Sequence, residues 1–330
     1  MRRLFAYPAI LALLLTATFA GCRQEPLPEA GDAIRFSVSN AVLSAETKAS
    51  RVDDITNETV ILYGSMAGAT DPVFNGTELN YSAETEKWAY SPLKYWVQNG
   101  TYDFRAICPS TYPSGITVTG SSSEIKVSNF SMGNSFDLMV AAKTGVTSAD
   151  PAGTGDSFAA VPLAFKHACA AVRFLFQDGT NDYYIKSFTL SGITTSGTMT
   201  YNSDNEATPS TWWGSLGTTA YSLSDLSWSV PTDYTGIETG WYFVVPQNLG
   251  DDAKLSFTYK VGSDGTQVIP VTIPLKGGEG VNTSSVTSWD RASAYTYKIQ
   301  IQANAIEFTV SVDPWTETTD TSLVEPEPTI

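Results

Sequence analysis

Tyr295-Thr296-Tyr297-Lys298-Ile299-Gln300-Ile301-Gln302, then Ala303-Asn304-Ala305, then Ile306-Glu307-Phe308-Thr309-Val310-Ser311-Val312-Asp313 is the stretch that decides the fold. Tyr295, Tyr297, Ile299 and Ile301 share one face of an extended chain, and Thr296, Lys298, Gln300 and Gln302 share the other. After three small or polar residues the alternation resumes, with Ile306, Phe308, Val310 and Val312 against Glu307, Thr309, Ser311 and Asp313. Period two on both sides of a short break predicts two paired strands, dry on one face and wet on the other. Such strands bury their apolar side against a second sheet.

The same pattern extends upstream. Leu255, Phe257, Tyr259 and Val261 lead into Gly262-Ser263-Asp264-Gly265, and Ile269, Val271, Ile273 and Leu275 return from it, which reads as a hairpin. Ala168, Ala170, Val172, Phe174 and Phe176 open the second half on one face. In the first half, Ile34, Phe36 and Val38 alternate with Arg35, Ser37 and Ser39. Val60-Ile61-Leu62-Tyr63 reads as a buried strand. Tyr102, Phe104, Ala106 and Cys108 alternate with Thr101, Asp103 and Arg105, and Ser135–Ala142 closes the half. A loop rich in Gly, Thr, Ser and Asp runs from Gly145 to Asp156. Amphipathic periods of helical spacing are nearly absent. The expectation is an all-β chain of two β-sandwich domains, residues 34–158 and 159–316, with a polar tail over 317–330.

The first twenty-two residues carry a separate message. Arg2 and Arg3 precede an apolar run from Leu4 to Phe19 that ends in Phe19-Ala20-Gly21-Cys22. The run is interrupted by Pro8 and is shorter than the about 20 residues of a membrane span. A charged start, a short apolar core and small residues before a cysteine predict a lipoprotein signal peptide over 1–21. Cys22 is then the lipidation site, holding the mature chain to a bacterial membrane by acyl chains. Residues 22–33, with two prolines and three acids, read as a solvated tether.

Charge and composition exclude other classes. The net charge is −15, from 34 acidic and 19 basic residues, so a nucleic-acid partner is not expected. The only histidine, His167, has no Cys or carboxylate cluster beside it at ligand spacing. It is read as structural, and no metal or cofactor is expected. Asp53-Asp54 and Asp251-Asp252 are acid pairs, but neighbours on a strand face opposite ways, so they read as solvated loops. No nucleophile, phosphate-loop or dinucleotide fingerprint is present, and the chain is not expected to be an enzyme. Cys108 and Cys169 could pair in an oxidising compartment, but their places in the alternation favour two buried free thiols.

Four stretches together resemble one family. Ser135–Ala141, Val161-Pro162-Leu163-Ala164-Phe165-Lys166-His167-Ala168-Cys169-Ala170-Ala171-Val172-Arg173-Phe174, Trp241–Gln247 and Tyr295 through Trp315 are similar, in this order, to the fimbrillin-like (Mfa-like and FimA-like) pilus-subunit lipoproteins of the Bacteroidales. The likeness runs over roughly 34–316 and is poor over 64–100 and 195–235. It implies two tandem transthyretin-like β-sandwich domains and a role in surface fimbriae as shaft, anchor, accessory or tip subunit. It also implies a lipid-held place at the outer membrane and partners that are other fimbrial subunits. In polymerising members a trypsin-like protease cuts after a basic residue behind the first strand, and a strand from the next subunit fills the vacated groove. Here that first strand is Ile34–Val38, and Arg51, then Lys48, are the candidate cleavage sites. Trp88, Tyr90, Tyr95, Trp96, Trp212 and Trp213 support an alternative reading, a glycan-binding surface lipoprotein. Trp212 and Trp213 are its candidate contacts, because indole faces stack on sugar rings.

Overall fold

The computed structural model describes residues 33–39, 55–178, 182–234, 240–278, 282–302 and 306–314. Among these the chain is all-β, with short 3₁₀ turns as its only helical pieces. The first half supplies β1 (Phe36–Ser39), β2 (Val60–Met66), β3 (Phe74–Ser82), β4 (Lys87–Ala89), β5 (Thr101–Cys108), β6 (Thr117–Gly120), β7 (Glu124–Ser131), β8 (Met139–Thr147), β9 (Val161–Ala164) and β10 (Lys166–His167). The second supplies β11 (Ala170–Asp178), β12 (Tyr183–Ser191), β13 (Ser196–Asn202), β14 (Trp213–Gly217), β15 (Tyr221–Leu223), β16 (Trp228–Ser229), β17 (Tyr242–Val244) and β18 (Gln247–Asn248). It is completed by β19 (Lys254–Val261), β20 (Ile269–Pro274), β21 (Ser288–Trp289), β22 (Ser293–Ile301) and β23 (Ile306–Pro314).

Both hairpins legible in the sequence are present. β22 pairs β23 with Tyr295 opposite Val312 and Ile301 opposite Ile306, and β19 pairs β20 with Leu255 opposite Ile273. Their apolar faces meet across one core. The sheet β17-β11-β22-β23 packs on β15-β12-β19-β20, with Phe174, Phe176, Phe188, Phe257, Tyr297 and Trp289 among the buried side chains. Trp289 settles its indole N–H by donating to the Tyr297 hydroxyl at 2.8 Å, the partner that a buried indole requires.

A second core belongs to the first half. One face of the six-stranded sheet β10-β8-β5-β2-β3-β4 packs on the two-stranded sheet formed by β1 and β9. Val161, Leu163 and Phe165 are part of this core, so the chain goes on building the first half for several residues past the loop. β10 then closes the six-stranded sheet before β11 starts the second half.

The third core joins the halves. β6 and β7 from the first half and β13 and β14 from the second form one sheet, in the order β14-β13-β7-β6. Its side chains Ile125, Val127, Phe130, Met199 and Tyr201 pack with Ile107 and Val140 from the outer face of the six-stranded sheet. β5 and β8 are therefore covered on both sides. Arg105, though it alternates with the apolar Phe104 and Ala106, is accordingly only 1% exposed. Its guanidinium carbon sits 5.2 Å from the Tyr201 ring centroid, and its Nη1 lies 3.7 Å from a Glu206 oxygen. A second sheet lies over that face, so alternation no longer reports on solvent there.

Candidate functional site

The strand that the sequence singles out, β1, has an unusual seat. Ile34 and Phe36 are buried, Val38 is half-buried and Arg35 is exposed, as their alternation requires. β1 runs parallel to β9, with Phe36 opposite Val161 and Val38 opposite Leu163. Val161 and Phe165 donate backbone N–H bonds to the carbonyls of Arg35 (2.8 Å) and Ser39 (2.9 Å). On the other side only the start of the segment is tied down. Ala33 bridges Tyr95, Ile34 N–H donates to the Lys94 carbonyl at 2.9 Å, and the Tyr90 hydroxyl donates to the Ile34 carbonyl at 2.7 Å.

Side chains add to this backbone pairing. The Phe36 ring meets Phe74, Phe104 and Tyr90 edge to face, at centroid distances of 5.5, 5.2 and 6.0 Å. This is the geometry that aromatic quadrupoles favour. The opposite side of the strand is less well satisfied. The buried Ser37 hydroxyl has no hydrogen-bond partner among the described residues, which carries a desolvation cost. β1 is thus a short segment near the chain's N-terminus, bonded along its length to one strand and seated in an aromatic groove. No hairpin ties it to that neighbour, since β9 lies more than 120 positions away in sequence. Removing it would leave the edge of β9 unpaired and Phe74, Phe104 and Tyr90 uncovered, and both are costly in water.

Cys22, Lys48, Arg51 and the Asp53-Asp54 pair lie outside the described residues. Asp251 pairs with Lys276 on the surface, and Asp252 is exposed in the same turn. His167 is buried with Nδ1 2.8 Å from an Asp137 carboxylate oxygen, at the junction between halves. Its backbone carbonyl accepts a bond from Arg291 Nη1 at 2.6 Å, so this histidine sits in a structural knot. Among the described residues, no group of three or more His, Cys, Asp or Glu side chains is placed to hold a metal ion. Cys108 and Cys169 are free and buried. Burial, then nearby carboxylates, push both thiols well above the usual range, which keeps them protonated and inert.

The aromatic candidates divide. Trp212 is 1% exposed. Its indole N–H donates to the Asn205 carbonyl at 2.7 Å, its ring meets Tyr201 at 4.9 Å, and Arg291 lies 5.4 Å over it. No face is left for a sugar, which corrects the reading of Trp212 as a glycan contact. A 3₁₀ turn at Pro209–Thr211 feeds β14 and drives this indole into the junction core. Trp213, the next residue, lies opposite Met199 and is half-buried against Phe130 of the same core, with its N–H donating to the Ala168 carbonyl. Trp96 is buried, and Trp88 and Tyr90 pack against the core of the first half.

Comparison with known proteins bears on the whole of this architecture. No curated protein matches the chain. A fimbrial protein from Bacteroides vulgatus superposes with a TM-score of 0.51 at 15% identity, covering 86% of this chain and 99% of its own. A candidate cell adhesion protein from Bacteroides ovatus gives the same score and identity, covering 86% and 96%. At such identity these likenesses speak for the fold. A model of the fimbrillin-like family matches residues 47–315, most of the chain. The chain, with its stacked all-β sheets, belongs to the fimbrillin-like family.

Proposed function

We propose that this protein is a lipid-anchored, non-enzymatic cell-surface component of a fimbrium, acting in assembly and adhesion through β-strand complementation. It would serve as a pilus subunit or as an accessory or anchor protein, with other fimbrial subunits as partners. The observation that carries the reading is the seat of β1: an N-terminal strand in parallel register with one neighbour, over an aromatic groove. A donor strand from another subunit would meet an unpaired β9 edge for backbone bonds and pockets of period two for register. The stretch from β1 to the next described residue contains Lys48 and Arg51, where cleavage would release β1. Without cleavage β1 stays in place and the lipid on Cys22 holds the molecule at the outer membrane, as suits an anchor.

Trypsin treatment of the purified, delipidated protein tests this. Ladders on a gel run without denaturant support polymerisation, and their loss in a Lys48→Ala, Arg51→Ala double variant ties them to the segment behind β1. A protein that is cut after Arg51 and keeps β1 bound, with no acceptance of an added donor-strand peptide, would refute strand complementation.

A further inference from the structure

Beside the point where the chain enters the fold lies a loop that turns apolar side chains outward. Residues 90–100 connect β4 to β5, and Leu93, Tyr95 and Val97 are exposed at 54%, 36% and 52%. They alternate with Lys94, which is half-buried, and Trp96, which is buried at 8%. An ordinary loop between strands turns polar groups outward. Here three apolar side chains also face out, beside the exposed Ser91, Gln98 and Asn99, and contacts of the loop hold them there. Trp96 wedges edge-on against Tyr102 at 4.9 Å, Val97 N–H donates to the Tyr102 hydroxyl at 2.9 Å, and Lys94 N–H donates to the Tyr90 hydroxyl at 3.2 Å. Ala33 bridges Tyr95 itself.

We infer that Leu93, Tyr95 and Val97 form a foot that rests on the lipid bilayer to which the chain is anchored. This rests on the lipid-anchoring reading of Cys22. Eleven peptide steps separate Cys22 from Ala33, so even a fully stretched tether reaches at most about 40 Å. The surface beside the tether's attachment point can therefore meet the membrane without the tether being stretched. It carries the side chains suited to the interface: two aliphatic tips, a tyrosine whose ring is apolar and whose hydroxyl is wet, and a lysine between them. The foot adds a second, weak membrane contact to the acyl chains, which fixes orientation more than attachment.

The test uses the full-length mature lipoprotein carrying Leu93→Cys or, as a second probe, Val97→Cys, labelled with an environment-sensitive fluorophore. The buried Cys108 and Cys169 leave the introduced thiol as the one to react. In phosphatidylethanolamine–phosphatidylglycerol vesicles doped with spin-labelled lipid, both probes should be quenched by about half or more, against little change for a Leu216→Cys control on β14. Probes at 93 and 97 as open to aqueous iodide as the control would overturn the inference. So would probes shielded from iodide yet untouched by spin-labelled lipid, because protein would then cover the foot. Mass spectrometry of the N-terminal peptide separates the two claims: acylated Cys22 with unquenched probes sinks only the foot, while an unacylated Cys22 sinks the anchoring and the foot with it.

Discussion

Replacing Phe36 by alanine should loosen β1 without unfolding the rest of the molecule. The Phe36 ring is 4% exposed and meets three other rings at 5.2 to 6.0 Å. Phe→Ala in a core costs about 3–5 kcal/mol. A strand near the chain end can shift to close part of the gap, so the lower limit, about 3 kcal/mol, is expected. All of it falls on the opening of β1, since no other element needs the ring for its own hydrogen bonds. Two amides report that opening directly: Val161 and Phe165, whose N–H groups bond the Arg35 and Ser39 carbonyls. Three kcal/mol corresponds to about a hundredfold in the opening equilibrium. Hydrogen exchange at these amides should therefore speed up by about a hundredfold, while amides in β19 and β22 keep their protection. Exchange at Val161 and Phe165 within about threefold of the parent would refute the view that side chains hold β1 in its groove. A uniform loss of protection across both halves would instead refute the claim that β1 opens as a separate unit.

Other substitutions test the remaining contacts. Ser37→Ala removes a buried hydroxyl that has no hydrogen-bond partner among the described residues and should leave stability unchanged or raise it by up to about 1 kcal/mol in urea melts. Trp212→Ala should cost about 3–5 kcal/mol and change no glycan-array signal, since its ring is inside the junction core. Arg105→Met should be neutral or stabilising, because Nε and Nη1 of the buried guanidinium lack hydrogen bonds among the described residues, whereas Glu206→Ala takes a carboxylate from beside the buried cation and should cost about 1–3 kcal/mol. Both thiols and several tyrosines, Tyr201 and Tyr297 among them, are pushed up by burial. The folded state holds these protons more tightly than the unfolded chain. That contribution is complete below the ordinary thiol value and is lost as pH rises past it, so stability should fall from about pH 9 upward. A melting temperature that holds or climbs between pH 9 and 11 would contradict it.

Strand content, both second-half hairpins and the dry face of β1 were legible because each is a local pattern: period two needs only neighbouring residues. What the pattern could not carry was the partner of each face. The pairing of β7 with β13 joins Val127 to Met199, a contact that no local rule selects, since both strands alternate much as their neighbours do. Arg105 is buried for the same reason, because a third layer lies over the face opposite Phe104 and Ala106. The parallel pairing of β1 with β9 depends on the path of the whole first half. For Trp212 and Trp213 no local rule sufficed: one ends a 3₁₀ turn, the other starts β14 opposite Met199, and both indoles pack on the junction core.

The sheet built jointly by β6, β7, β13 and β14 has a mechanical consequence. A linker between modules lets each swivel, but backbone bonds laid across the seam weld them. Bending the molecule at its waist would require tearing the β7–β13 ladder and splitting the layer that holds Trp212. In a filament made of such units, compliance would reside at the joints between molecules, and each molecule would pass tension from one end to the other as a single stiff link.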